Sequence, residues 1–364
     1  MTRTECYLIL NSLRLIGPVR VRKLREALGS VEAIFSERLQ GLSKIEGIGQ
    51  GPAESIVGWE KTFDLGNELR QMEELKVQVV DCEDEAYPKQ LTEIYDPPLV
   101  LYYRGDMAAA CKRSIAMVGS RATTYYGLET AKKISYQIAY AGLTVGSGLA
   151  RGIDTAAHQG ALAAKGRTLA VIGSSMDLIY PPENRALAEM IAENRGVVMS
   201  EFTLGTPPDK QTFPMRNRIV SGLSSGVLVV EAGAKSGALI TAKMALEQGR
   251  QVFAIPGRIN DESAKGCHRL IKDGAKLVEG VDDILQEFEF LFPKMEVEPR
   301  KAWPDDLTEE EVKLLQTLEM NEMHLDEIIR KCGLPSAKVS STLLRLEMRK
   351  MIRQLPGKHF VKTD

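Results

Sequence analysis

The central part of the chain alternates short apolar runs with longer amphipathic stretches. Runs such as Val227-Leu-Val-Val230 are apolar at every position, which is typical of parallel strands buried on both faces. The pattern predicts strands over 115–119, 143–147, 168–172, 197–200, 226–230 and 251–254, and helices near 127–141, 155–164, 183–194, 217–223, 237–248, 267–273 and 281–288. Strands and helices that alternate with short links indicate an α/β fold with a doubly wound sheet.

The first 66 residues are predicted to form a small helical domain of SAM-like or helix-hairpin-helix-like type. Ile16-Gly-Pro-Val-Arg20 and Ile45-Glu-Gly-Ile-Gly49 each place glycine before a helix, where it allows a tight turn. The exposed amides of the next helix suit a phosphate, but such turns also serve packing or protein contact, and both readings stay open. Residues 67–108 are predicted to be a connector, with a helix at 65–75 and strands at 77–80 and 99–103, that packs on the core.

The last part of the chain predicts a winged helix over 307–364, after a linker at 291–306 that carries three prolines. Thr308 and Glu311 have the spacing of a capping box, which predicts the start of its first helix. A second helix at 325–332 ends at Gly333, a third begins after Pro335, and two short strands flank the turn near residue 356. On the third helix Lys338, Arg345 and Arg349 share one line, which faces either solvent or DNA.

Composition narrows the class of protein. The 364 residues are 44% hydrophobic and 6% aromatic, which suits two or three globular domains. The polar start and the absence of a long apolar run predict a cytoplasmic protein without a membrane span. Five cysteines show no paired spacing and are expected to be free thiols. The net charge of −2 gives no overall attraction to nucleic acid, so any such binding depends on a local basic patch.

Such a patch is predicted where the strands of the 109–290 block end. This block is predicted to be an extended Rossmann-like domain, and the turns at the carboxyl ends of its strands meet in one crevice. Small residues there can donate to phosphate oxygens, cations can displace counterions, and Phe213 can stack on an unpaired base. The predicted DNA-binding residues are Gly119, Ser120, Arg121, Ser147, Gly148, Arg151, Lys210, Phe213, Arg216, Asn217, Arg218 and Lys235. The alternative is that Phe213 anchors a loop and that the two arginines after it form structural salt bridges.

Other chemistries fit the same region less well. The first turn, Gly119-Ser-Arg-Ala-Thr-Thr, lacks the Gly-x-Gly-x-x-Gly of dinucleotide binding, and no Walker-type phosphate loop is present in the sequence, so no cofactor is expected. Asp154 and His158 are four residues apart on a helix and suggest a catalytic pair, but Asp154 fits better as the N-cap of that helix. Glu201 and Glu231 follow strands without a third acidic partner at a readable spacing. We therefore expect neither catalysis nor a metal.

The residues of these strand ends resemble the DprA (Smf) family of bacterial DNA-processing proteins. The matching phrases are Ala116-Met-Val-Gly-Ser-Arg121, Ser147-Gly-Leu-Ala-Arg-Gly-Ile-Asp154 with Ala157-His158, Tyr180-Pro181, Phe213-Pro-Met-Arg-Asn-Arg218, Glu231-Ala with Lys235-Ser-Gly237, and Ile255-Pro-Gly257. They follow one another in this order across about 150 residues, and the flanking helical and winged-helix regions also match.

The resemblance implies a non-catalytic protein of natural transformation and recombination that binds single-stranded DNA without sequence preference. It implies that such a protein helps the strand past single-strand-binding protein, loads the RecA recombinase and forms a homodimer through the Rossmann-like domain. It also implies DNA contact by Gly119, Ser120, Arg121, Lys210, Phe213, Arg216, Asn217 and Arg218. Two alternatives are kept: a nucleotide-processing enzyme related to phosphoribohydrolases, and a winged-helix regulator that binds duplex DNA.

Overall fold

The computed structural model describes residues 1–107, 113–288, 307–318, 323–349, 351–355 and 357–362. The chain divides into two compact units, Met1–Lys294 and Met295–Asp364. The linker expected at 291–306 and the cysteine at position 111 lie outside the described residues. The finer boundaries expected at 66 and 108 stay predictions.

The first unit begins with short helices that share a core with the sheet behind them. They are α1 Arg3–Ser12, α2 Pro18–Leu28, α3 Val31–Ser36, α4 Leu39–Lys44, α5 Gln50–Val57 and α6 Leu65–Glu74, followed in the connector by α7 Lys89–Thr92. Tyr7, Leu8 and Leu10 of α1 are fully buried in the cluster that also holds Tyr102 and Val198 of the sheet. Burial of this apolar surface fixes the helical region to one edge of the sheet.

Within the described residues, nine strands form the central sheet. They are β1 Gln78–Asp81, β2 Val100–Gly105, β3 Ser114–Val118, β4 Thr144–Ser147, β5 Thr168–Val171, β6 Val197–Ser200, β7 Gly226–Val229, β8 Gln251–Ala254 and β9 Lys276–Leu277. Their order is β1-β2-β6-β5-β4-β3-β7-β8-β9, parallel from β6 to β9 and antiparallel at β1 and β2. The doubly wound sheet is confirmed, and each of the six predicted strands is found to within one residue. The connector adds β1 and β2 to the sheet.

Helices cover both faces of this sheet. They are α8 Tyr125–Tyr140, α9 Ile153–Ala163, α10 Arg185–Glu193, α11 Thr212–Gly222, α12 Ala238–Glu247, α13 Lys265–Lys272 and α14 Val281–Glu287. Side chains of β3 alternate between the faces: Ile115 and Met117 pack with α8, α9 and α14, whereas Ala116 and Val118 pack with α11, α12 and α13. The strands are apolar at every position because these helices cover both faces of the sheet and shield them from water.

Five helix starts differ from the prediction by two residues or more, and two of them bear on the site. The helix expected at 217 begins at Thr212, because Pro214 falls in the first turn, where backbone amides have no partner within the helix. The helix expected at 155 begins at Ile153 with Gly152 as its N-cap, so the predicted capping role of Asp154 is wrong. The carboxylate of Asp154 instead accepts from the amides of Gly148 at 3.1 Å and Ala150 at 3.2 Å.

The second unit has the predicted order of a winged helix. Its elements are α15 Glu309–Thr317, β10 Met323–His324, α16 Leu325–Cys332, α17 Ser336–Met348, β11 Ile352–Leu355 and β12 His359–Lys362, with β12 between β10 and β11. Thr308 and Glu311 form the capping box, and Gly333 ends α16 in the left-handed conformation at φ 64°. Leu315, Ile328 and Leu343 lie in a buried core formed by the three helices and the sheet.

Among the described residues, no helix combines the length and apolar character that crossing a bilayer requires. Nor does any group of three His, Cys, Asp or Glu residues in these ranges have the arrangement of a metal site. Cys6, Cys82, Cys267 and Cys332 are free thiols, and burial raises the pKa of Cys6 and Cys267 to about 11.

Candidate functional site

A cavity of about 630 Å³ opens where the carboxyl ends of β3 and β7 lie side by side. From β3 the chain proceeds outward through β4, β5 and β6, and it then returns to β7 on the opposite side. Parallel α/β sheets bind ligands at this kind of switch point, because the loops on its two sides diverge and leave a crevice. The loop after β3, the loop after β7 and the first turns of α11 and α12 line the cavity, which we call the switch-point pocket.

The structure brings most of the predicted residues together in this pocket. Gly119, Ser120, Arg121, Lys210, Phe213, Arg216, Asn217 and Lys235 all line it. Arg121, Lys210 and Lys235 are exposed and Arg216 is buried. Among the described lining residues Asp154 is the sole carboxylate, so positive charge dominates the pocket walls although the whole chain carries a slight negative charge.

Arg216 lies at the base of the pocket and is 4% exposed. One guanidinium NH₂ group donates to the carbonyl of Val171, while Nε has no hydrogen-bond partner among the described residues. Burial lowers the Arg216 pKa to about 10, against the opposing effect of Asp154, and leaves the group charged at neutral pH. A buried cation that lines a pocket is suited to an anionic ligand, since a charge away from water is favourable only when it is paired.

Gly148 makes room for this guanidinium. A Cβ at position 148 would lie 1.9 Å from one NH₂ nitrogen of Arg216 and 2.3 Å from its central carbon. The loop after β4 and the side chain from α11 therefore pack without a gap, and glycine is required here by close approach. Gly148 itself does not line the pocket, so its role is to admit Arg216.

Asp154 and His158 belong to the polar layer beneath Arg216. Burial raises the pKa of Asp154, although Arg216 and the amides of Ala150 and Gly148 act in the opposite direction. Burial also lowers the pKa of His158 to about 3, with a smaller effect from Arg216. The His158 ring bonds Thr168 through Nδ1 at 2.7 Å, so the hydrogen-bonded Asp154–His158 pair considered from the sequence is not formed.

The rim of the pocket holds a row of cations and aromatic rings. The guanidinium carbon of Arg121 lies 4.7 Å from the centroid of the Phe213 ring, and that ring lies 6.0 Å from Tyr180 in a tilted arrangement. Arg151 in turn lies 5.5 Å from the Tyr180 ring and pairs with Glu183 through its second NH₂ group at 3.1 Å. Tyr180 therefore supports the Phe213 ring, a role that the sequence pattern around Tyr180-Pro181 does not indicate.

Four predicted contact residues do not line the pocket, namely Ser147, Gly148, Arg151 and Arg218, and the side chains of Ser147 and Arg218 are buried elsewhere. The Ser147 hydroxyl is fully buried and donates to the carbonyl of Met117 at 2.7 Å. Arg218 is 7% exposed and makes two hydrogen bonds of 2.7 Å to Glu201 and one of 3.0 Å to Asp96. We therefore propose no direct DNA contact by Ser147 or Arg218, and Arg218 forms the structural salt bridges that the sequence left as an alternative.

Ser120 is also engaged within the protein. Its amide donates to the carbonyl of Glu231 at 2.7 Å and its hydroxyl to the carbonyl of Ala122 at 2.6 Å. These bonds hold the loop after β3 against the end of β7, and they orient Arg121 toward Phe213. The hydroxyl predicted as a phosphate donor is thus used within the loop.

In the second unit, the basic line predicted on α17 faces an acidic helix terminus. Lys338 forms an ion pair with Glu310 in the first turn of α15. The pKa of Glu311 is lowered, first by the amide of Thr308 and further by the charges of Arg349 and Arg345. Lys338, Arg345 and Arg349 are exposed, and Leu344 and Met348 are the most exposed large apolar side chains of α17, so its open face mixes basic and apolar residues.

The sequence of the chain matches two family models. The model described as DNA recombination-mediator protein A covers residues 78–289, and the model of the DprA winged helix domain covers residues 298–358. Protein Smf of Synechocystis is 34% identical over 388 residues, which is 97% of each chain. Protein Smf of Escherichia coli is 39% identical over 297 residues, covering 80% of this chain and 79% of that protein.

Solved structures of DNA processing protein A also match this chain. The X-ray structure of DNA processing protein A from Streptococcus pneumoniae superposes with a TM-score of 0.69 at 39% identity, covering 80% of this chain and 99% of that one. A structure that concerns the single-stranded DNA binding mode of the Helicobacter pylori protein has a TM-score of 0.53 at 28% identity, covering 59% and 97%. From these matches, the chain belongs to the DNA recombination-mediator protein A family, also called DprA or Smf.

Proposed function

We propose that this chain binds single-stranded DNA in the switch-point pocket, without sequence preference and without chemical turnover. The observation that carries the proposal is the buried, charged guanidinium of Arg216 at the base of a pocket ringed by Arg121, Lys210 and Lys235. Cations of this kind bind phosphates and displace counterions independently of base sequence.

The ring of Phe213 supports a single strand over a duplex. It is partly exposed at the rim and is held by Tyr180 behind it and Arg121 beside it. A base can stack on such a ring only when it is free of its own stacked neighbours, which a duplex does not allow. The Helicobacter pylori relative is described as binding single-stranded DNA, which agrees with this proposal.

The finer role follows from the family. We infer that the chain acts as a mediator in the cytoplasm: it forms a homodimer through the Rossmann-like domain, displaces single-strand-binding protein and passes the strand to RecA. The family model is described as a recombination mediator, and a mediator needs affinity for the strand rather than a reactive group.

The alternative functions lack support at the corresponding residues. For a phosphoribohydrolase or a nuclease, Glu231 and Glu201 would have to be available, but Glu231 accepts from the amide and hydroxyl of Thr124, and Glu201 is paired with Arg218. For a duplex regulator, α17 would have to present its whole basic line to DNA; Arg345 and Arg349 are exposed, whereas Lys338 is paired with Glu310.

The test is fluorescence anisotropy of the full chain with labelled single-stranded and duplex oligonucleotides of equal length, at several salt concentrations, with free mononucleotide as competitor. We expect salt-sensitive binding that prefers the single strand and resists mononucleotide. Ready displacement by mononucleotide points to a small-molecule site, and preference for the duplex points to the winged helix; either result contradicts the proposal.

A further inference from the structure

The exposed face of α8 carries tyrosines and lysines in one stripe. Tyr125, Tyr136 and Tyr140 are 79%, 37% and 49% exposed, and Lys132 and Lys133 are exposed between them. Because residues three, four and seven apart in a helix share a face, these side chains line one side of α8. The opposite side, with Ile134 and Ile138 among others, is buried against the sheet and α9.

The rings of this stripe are ordered for stacking. Tyr136 and Tyr140 lie parallel, with centroids 6.1 Å apart and an angle of 7° between their planes. Exposed aromatic rings are costly to leave in water, and two parallel rings offer flat outer faces to a third planar group. In a protein that binds nucleic acid, an unpaired base is the planar group of matching size.

The stripe begins close along the chain to the wall of the switch-point pocket. The pocket wall formed by Gly119, Ser120, Arg121 and Ala122 leads within two residues into Thr124, which caps α8. Since α8 has 16 residues, the stripe runs for about 24 Å along the helix. A strand that leaves the pocket over Arg121 therefore meets Tyr125 first and the parallel pair last.

The charge along this path favours a phosphate backbone. Glu129 is the acidic residue within the stripe, and it pairs with Lys132 at 3.5 Å, so Lys133 leaves a net positive charge. At the far end, the turn at Gly166 packs so closely on α8 that a Cβ at position 166 would lie 2.6 Å from the Cβ of Ala139. This turn exposes Lys165 and Arg167 beside the end of α8, and both cations lie where a strand would leave the helix.

We propose that single-stranded DNA continues from the switch-point pocket along this face of α8, with bases stacked on Tyr125, Tyr136 and Tyr140 and phosphates near Lys132 and Lys133. The inference rests on the proposed single-strand binding and extends it from the pocket to a track. It follows that the bound length exceeds what the pocket holds, and that affinity increases with oligonucleotide length through these tyrosines.

The experiment compares two lengths of oligothymidine, about 4 and about 16 nucleotides, which span the usual site sizes of single-strand binders. The Tyr136→Ala/Tyr140→Ala variant of the full chain should bind the short oligonucleotide as the wild type does. It should lose roughly ten-fold in affinity for the long one per stacked ring removed. Tyr136→Phe/Tyr140→Phe should restore the wild-type result, because the ring faces remain.

A matched control is Tyr95→Ala, which removes another exposed tyrosine, from the connector, where its ring packs beside Arg22. It should leave both affinities unchanged. A photoreactive base at the end of the long oligonucleotide should crosslink to the peptide that contains Tyr136 and Tyr140. Equal affinities of variant and wild type for both lengths overturn the inference, and so does an equal loss for both lengths, which places the effect in the pocket.

The outcomes also separate this inference from the function on which it rests. If the wild type binds neither length, the proposed function itself fails. If the short oligonucleotide binds and the tyrosine variant changes nothing, the track alone fails. If the variant turns a dimer into a monomer and keeps the wild-type dependence on length, the face belongs to a second copy of the chain and the track is overturned.

Discussion

Arg121 and Phe213 meet across the switch-point pocket, with the guanidinium carbon 4.7 Å from the ring centroid. They come from different sides of the fold, one from the loop after β3 and the other from the first turn of α11. The contact joins a phosphate-binding charge to a base-stacking surface at one point. The two side chains should therefore contribute to binding through separable physical effects.

Phe213→Ala should lower the affinity for single-stranded DNA by about 1–3 kcal/mol, which is the usual loss when a base loses an aromatic partner. The dependence of affinity on salt should not change, because no phosphate contact is removed. Anisotropy titrations across a salt series measure both quantities. Phe213→Tyr is the control and should retain affinity; a reduced salt slope in Phe213→Ala would contradict a stacking role.

Arg121→Ala and Lys210→Ala should each reduce the slope of log affinity against log salt by about 0.7, the value for one phosphate contact on a single strand. The loss should be equal for oligonucleotides of different sequence, because phosphates carry no sequence information. Lys243→Ala serves as the control, since Lys243 is an exposed lysine of α12 outside the pocket. A slope equal to that of the wild type removes the substituted residue from the site.

The sheet was predictable from sequence because its strands are uniformly apolar. The run Val227-Leu-Val-Val230 has no polar face to mislead the assignment, and residues at such strand ends converge whatever the details of packing. This is why eight of the predicted contact residues line one pocket. The sequence also predicts strands at 77–80 and 99–103, which correspond to β1 and β2, but a local pattern carries no information on the strands with which they pair.

The roles of Arg216 and Arg218 were not separable from sequence, because the start of α11 was misplaced. Two residues apart in a helix, their side chains point about 200° away from each other. One therefore lies at the pocket and the other pairs with Glu201 on the far side. If Pro214 is placed in the first turn of α11, both arginines lie within the helix, and their opposite orientations follow from their spacing alone. The pairing of Lys338 with Glu310 depends on tertiary packing, which no local pattern encodes.

Gly148→Ala should weaken DNA binding by displacing the guanidinium of Arg216. The new Cβ would overlap that group, and overpacking of this kind typically costs about 1–3 kcal/mol of folding stability. Denaturant unfolding and anisotropy measure the two effects. The control is Gly237→Ala in the same pocket, where a Cβ meets no atom within 4 Å; equal behaviour of the two variants would contradict the close packing at Gly148.

Arg218→Ala should lower the free energy of unfolding by about 3–5 kcal/mol, because it leaves the buried carboxylate of Glu201 without its partner. Any folded protein that remains should show the wild-type salt slope for DNA binding, since Arg218 does not line the pocket. Addition of Glu201→Gln should recover part of the stability in a double-mutant cycle. A reduced salt slope with unchanged stability would return Arg218 to the DNA-binding set.

His158→Gln should change how stability depends on pH. The native pKa of His158 is about 3, against 6.5 for an unperturbed histidine, because burial disfavours the charged ring. Between these values the unfolded chain binds a proton that the native state does not, so stability is present in full above pH 6.5 and falls as the pH is lowered toward 3. The loss from this residue approaches about 1.4 kcal/mol per pH unit in that window.

The glutamine of the His158→Gln variant cannot titrate, and its side-chain amide can still bond Thr168. Urea unfolding at several pH values should therefore show a shallower fall for the variant than for the wild type, and parallel curves would mean that His158 is not held neutral beneath Arg216.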